Sequence, residues 1–76
     1  MDEILKILRS IRPESDFEKS KNFIEDGLLD SFDVVTLVSS LDSTFCISID
    51  GGDIVPENFS SLEAIRDLLK KYEVFL

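Results

Sequence analysis

The stretch Asp30-Ser31-Phe32-Asp33-Val34-Val35-Thr36-Leu37-Val38-Ser39-Ser40-Leu41-Asp42-Ser43-Thr44-Phe45 decides the fold. Stepped at about 100° per residue, Val34, Leu37, Val38, Leu41 and Phe45 fall on one stripe, the mark of an amphipathic α-helix with one buried face. The spacing predicts a helix from Ser31 to about Phe45. Asp30 suits the N-cap, where a side-chain oxygen answers a free amide of the first turn. Ser31 is then the first helical residue, with its hydroxyl free to face solvent. The other reading of the pair makes Ser31 itself the cap. Phe32 and Val35 fall off the stripe, next to Ser31. They are either scattered surface residues or a contact surface.

Upstream, Ile4, Leu8 and Ile11 recur at helical spacing with Ile7 alongside, so Asp2 to Ile11 reads as a first helix. Asp2 and Glu3 suit its dipole, and Pro13 stops it. Residues 12 to 29 read as a long loop, with Phe17, Phe23, Ile24, Leu28 and Leu29 to dock it onto the helices. Downstream, Ile47 to Asp50 reads as briefly extended, and Gly51-Gly52 as a turn. Asp53 is placed to cap a short helical turn through Pro56 and Asn58. Ser60 and Glu63 match a capping box for a last helix running to about Tyr72, with Leu62, Ile65, Leu68, Leu69 and Tyr72 on its core face. Asp67 precedes Lys70 and Lys71 at pairing distance. The expected fold is all-α: a small four-helix bundle of three main helices and one short one, with the long loop between the first two.

The 76 residues make one domain, 1–76, with a small core. Hydrophobic content of 43% against 32% charged residues is that of a folded chain. The net charge is −8, and no Lys or Arg occurs from Asn22 through Ile65. Such a surface repels phosphate backbones, which argues against nucleic acid; it either attracts a basic protein partner or merely keeps a small domain soluble. No apolar run is long enough to span a bilayer and no signal peptide is visible, so the expectation is a cytoplasmic monomer.

Enzyme chemistry has little to work with. The chain has no histidine, hence neither the commonest general base nor the commonest nitrogen ligand. Its one cysteine, Cys46, rules out a zinc site built on paired thiolates, and beside Phe45 it reads as packing. No glycine-rich phosphate loop is present. Asp50-Gly51-Gly52-Asp53 lacks the ligand order and closing Glu of an EF-hand and reads as a turn with a helix cap. We expect neither a catalytic site nor a bound metal.

What the residues do offer is Ser31. With Asp30 as cap, its hydroxyl lies beside free amides and the positive end of the helix dipole, where a phosphodiester sits favourably. Asp30 and Asp33 oppose this by repulsion, which a divalent metal could offset during group transfer.

The run Gly27-Leu28-Leu29-Asp30-Ser31-Phe32 resembles the Asp-Ser-Leu motif of acyl carrier and peptidyl carrier proteins, with Phe32 in the leucine position. The resemblance spans nearly the whole chain. It continues through Phe45, Ile47-Ser48-Ile49, Pro56-Glu57-Asn58-Phe59 and Ser61-Leu62 at the opening of the final helix. It implies that Ser31 is the attachment point of a 4′-phosphopantetheine arm donated from coenzyme A, and that Asp30 belongs to the motif. The arm's thiol would hold an acyl or aminoacyl group as a thioester. The implied partners are a phosphopantetheinyl transferase, an adenylating or acyl-loading enzyme and a downstream acyltransferase or synthase. Phe32, Asp33, Val35 and Asp42 are the expected partner-binding residues, an apolar pair within an acidic surround. The later second helix, with Thr36, Ser39, Ser40, Ser43 and Thr44, is less acidic than in carriers of fatty acid synthesis. In this it looks more like stand-alone carriers with dedicated adenylating enzymes, including D-alanine carriers. The competing expectations are an acidic helical interaction domain that is never modified, and an acidic metal-binding module.

Overall fold

A computed structural model describes residues 3–75; Met1, Asp2 and Leu76 lie outside the described residues. Three α-helices, α1 (Glu3–Ile11), α2 (Ser31–Phe45) and α3 (Leu62–Lys70), are joined by the long loop and by two 3-10 turns, Gly51–Asp53 and Pro56–Phe59. No strand occurs among the described residues. The chain is a small all-helical fold. Ile47 to Asp50 has no ladder partner there and follows α2 as irregular backbone.

Helix α2 has the predicted bounds, and Val34, Leu37, Val38 and Leu41 are all buried, while Phe45 packs only part-way in. Helix α1 lays Ile4 and Leu8 against it, and α3 adds Ile65, Leu68 and Leu69. The long loop supplies Phe17, Phe23 and Leu29 to this same core. The Phe17 and Phe23 rings meet edge to face with centroids 5.1 Å apart, a favoured aromatic geometry. Phe23 also anchors the loop through its backbone. Its amide donates to the Ser60 carbonyl at 2.7 Å, and its carbonyl accepts from the Leu28 and Leu29 amides at 2.8 and 3.1 Å. The loop is therefore packed structure, and it delivers Leu29 and Asp30 to the start of α2 at a set position. Gly27 turns it with φ 74°, a conformation that costs side-chain-bearing residues more.

The chain leaves α2 and α3 in a similar way. Cys46 and Glu73 adopt left-handed backbone, with φ 55° and 63°. After α2, the Cys46 and Ile47 amides both return to the Asp42 carbonyl. After α3, the Glu73 amide donates to Lys70 and the Val74 amide to Leu69. The second is a Schellman closure, and the first joins its 6→1 bond to the 5→1 bond of the αL motif, both without glycine. Helix α3 itself ends at Lys70, short of Tyr72, because the Lys71 and Tyr72 amides turn to the Leu68 and Leu69 carbonyls at 3.1 and 2.9 Å and tighten the last turn before Glu73. The closure after α2 leaves Cys46 exposed, not packed in the core as the sequence suggested. At the other end of α3 the cap is Ser61, whose Oγ accepts from the Ala64 amide at 3.0 Å. Ser60 is held in helical backbone by the preceding turn, its hydroxyl bonded to the Glu57 carbonyl, so it has the wrong dihedrals for an N-cap.

Asp53 caps nothing. The Gly51–Asp53 turn is capped by Asp50, and the Pro56–Phe59 turn follows Val55 with no side-chain cap. Asp53 instead binds Lys71 Nζ at 2.8 Å and receives the Tyr72 hydroxyl at 2.7 Å. Tyr72 in turn accepts the Asp50 amide at 2.8 Å. This cluster fastens the C-terminal turn to the loop after α2. Its neighbours hold the Asp53 carboxyl below the usual range, Lys71 first and Tyr72 second.

Candidate functional site

The start of α2 is a reciprocal capping box. Asp30 Oδ1 accepts the Asp33 amide at 2.8 Å, and Asp33 Oδ2 accepts the Asp30 amide at 3.2 Å. The first helical bond runs from the Val34 amide to the Asp30 carbonyl at 3.0 Å. Ser31 occupies the first helical position, is exposed, and takes no part in the cap. Of the two readings of the Asp-Ser pair, the structure selects Asp30 as cap. The amides of Ser31 and Phe32 precede the first helical bond and point out of the helix end, where the dipole is positive.

Phe32 is 79% exposed and Val35 63% exposed, so these two face solvent beside Ser31 as expected. The Thr36 hydroxyl bonds back to the Phe32 carbonyl at 3.2 Å and continues this outward face. Alanine in place of Phe32 should leave the unfolding free energy within about 0.5 kcal/mol of wild type, as for surface sites generally. Urea titration followed by circular dichroism checks this. A loss above about 2 kcal/mol would make Phe32 a core residue.

The two acids of the expected partner surface lie elsewhere. Asp33 is only 8% exposed and turns inward. Its Oδ2 receives Arg12 Nε at 2.8 Å and Arg12 Nη2 at 2.7 Å, besides the Asp30 amide. Asp42 is half-buried, and its Oδ1 accepts the Ile49 amide at 3.0 Å, pinning the chain that follows α2. Charge reversal at either position would break these structural bonds as well as change the surface. Nor is the site free of cations: Arg12, just past α1, reaches it across the fold. Sequence reasoning missed Arg12, since nothing local links residues 21 apart.

Arg12 holds the Asp33 carboxyl below the ordinary carboxylate range, against the opposing effect of burial. The ordinary value is about 3.9. A carboxyl depressed in the folded state binds fewer protons there than when unfolded, so the pair stabilises the fold above that pH. The contribution is lost as pH falls through the lower folded value. Asp53 behaves alike. Arg12 and Lys71 are raised in turn and lose their contribution only on the alkaline side. The urea midpoint should therefore fall as pH drops below about 4, less steeply in Asp33→Asn than in wild type. Equal slopes would mean that Asp33 is not part of the acid transition.

The remaining acids of interest are engaged in structure. Asp50 Oδ1 accepts the Gly52 amide at 2.9 Å, which makes Asp50-Gly51-Gly52-Asp53 a capped turn. Among the described residues no group of three or more Cys, Asp or Glu side chains is arranged to hold a metal ion. No helix there is long and apolar enough to cross a membrane. No protein-family model, curated protein or solved structure matches the chain.

Proposed function

We propose that this chain is a carrier protein that holds an acyl or aminoacyl group as a thioester on a 4′-phosphopantetheine arm attached to Ser31. The observation that carries the reading is the exposed Ser31 hydroxyl at the first position of α2, released from capping by Asp30. The residues present fit such a group. Ser31 is exposed, and the outward amides of the first turn favour a phosphodiester. The arm, when bound, supplies the terminal thiol on which the cargo is carried.

The chain's own residues have defined parts in this. Asp30 keeps the helix start closed while leaving Ser31 free. Leu29 and Phe23 fix the loop before it, so that Ser31 stands at a constant height on the α2 end. Phe32 and Val35 offer apolar contact to a transferase, a loading enzyme and a downstream acyltransferase or synthase, since small exposed apolar anchors supply most of the energy of such contacts. With Asp33 and Asp42 turned to structure, that contact rests less on acidic side chains than the sequence suggested. In this reading the fold is a four-helix bundle in which the turn Pro56–Phe59 stands in place of the short helix. The hydroxyl-rich outer face of α2, with Thr36, Ser39, Ser43 and Thr44, favours a stand-alone carrier working with an adenylating enzyme, the D-alanine type among them.

The test is incubation with coenzyme A, magnesium and a broad-specificity phosphopantetheinyl transferase, followed by intact mass and peptide mapping. One phosphopantetheine on Ser31 supports the reading. An unmodified chain under conditions that convert a control carrier would leave an acidic interaction domain, with Phe32 and Val35 as its contact surface.

A further inference from the structure

Two carboxylates flank Ser31, and a phosphodiester there would add a third negative charge to the same helix end. Arg12 is the basic residue that meets this cluster. No Lys or Arg lies between Asn22 and Ile65, so the cation has to come from outside the segment that carries the site. Helix α1 brings it. The Arg12 amide donates to the Leu8 carbonyl at 2.9 Å, which continues α1 by one residue, and α1 packs directly on α2. The guanidinium places Nε and Nη2 on Asp33 Oδ2, holds Nη2 3.5 Å from Asp30 Oδ2, and sets Nη1 3.7 Å from Glu14. About a third of the side chain stays exposed (36%). An arginine keeps its charge at every working pH.

We propose that Arg12 is a positioning residue for Ser31: by neutralising Asp33 and drawing in Asp30, it makes the α2 start able to bear an anionic group. The inference rests on the carrier reading. It separates two effects of removing Arg12. One is structural, because Asp33 is left poorly solvated without its partner. The other is electrostatic, and appears only when the anion is attached.

A cycle of apo and modified protein, each as wild type and Arg12→Gln, isolates the second effect. Modification should change the melting temperature of wild type by no more than about 1 °C. It should lower that of Arg12→Gln by roughly 4 °C, a shift readily measured in a domain of this size. Arg12→Lys should behave as wild type. The initial rate of modification should fall about five- to tenfold in Arg12→Gln at low salt, and the gap should narrow at about 0.5 M salt, where exposed charges are screened. A structural defect alone would not recover with salt. Should Arg12→Gln fail to fold, Arg12→Gln with Asp33→Asn removes the stranded charge, and Asp30 alone should then leave a smaller shift on modification.

Equal shifts in wild type and Arg12→Gln, or a rate gap indifferent to salt, would overturn the role of Arg12 while leaving Ser31 as the attachment point. If wild type itself takes no group, the carrier reading fails, and this inference with it.

Discussion

Alanine at Ser31 should abolish modification while leaving the fold intact. The Ser31 side chain is outside the capping box, which Asp30 and Asp33 close between them. Alanine is the best helix former and is tolerated at the first position of a helix. The unfolding free energy should therefore stay within about 0.5 kcal/mol of wild type. Modification has no substitute acceptor in the same setting. Ser39, Ser40 and Ser43 lie inside α2, away from its open amides, and Ser61 spends its oxygen on the Ala64 amide. Intact mass after exhaustive reaction reads the result directly. Any mass gain retained by Ser31→Ala would move the attachment point elsewhere. A large loss of stability would show that the hydroxyl holds the helix start together after all.

Leu37→Ala should be the most damaging single substitution in α2. Leu37 is completely buried at the centre of the stripe, between Val34 and Leu41, within the cluster that includes Ile4, Leu8, Phe59 and Ile65. Removing most of a leucine side chain from such a site costs about 2–5 kcal/mol, as lost burial plus the cavity left behind. Domains are typically stable by about 5–15 kcal/mol, and one this small falls at the low end. The variant should be largely unfolded near 37 °C. Val35→Ala, two residues before Leu37 on the exposed face, is the control and should be near neutral. Urea unfolding of both, monitored by helical circular dichroism, gives the comparison. A Leu37→Ala cost below about 0.5 kcal/mol would mean that the phase of α2 is wrong.

The partner surface narrows once burial is known. Phe32 and Val35 stand exposed as the off-stripe argument placed them. Asp33 was drawn from the same stretch, three residues from Asp30, and its capping role could have been recognised from that spacing alone, as a carboxylate three residues after an N-cap. Its inward turn could not. Asp42 similarly carries no local sign that it ties down Ile49.

Sequence alone determined the extent and buried face of α2, the body of α1, and the docking of the long loop by Phe17, Phe23 and Leu29, and it narrowed the cap of α2 to Asp30 or Ser31. Each of these follows from apolar periodicity or from contacts within one helical turn, which any short window of residues contains. Tertiary structure decided the rest. It chose Ser61 over Ser60, because the turn before α3 already held Ser60 in helical backbone. It ended α2 at left-handed Cys46 and turned the chain after α3 at left-handed Glu73, neither a glycine, where the apolar Ile47 and Val74 tuck partly into the core. It paired Arg12 with Asp33, and Asp53 with Lys71 and Tyr72. Such pairings join charges 18 to 21 residues apart, and they exist only after apolar packing has brought α1 to α2 and the C-terminal turn to its loop. Burial is dictated by pattern, whereas polar partners are dictated by proximity, and proximity is a property of the folded chain.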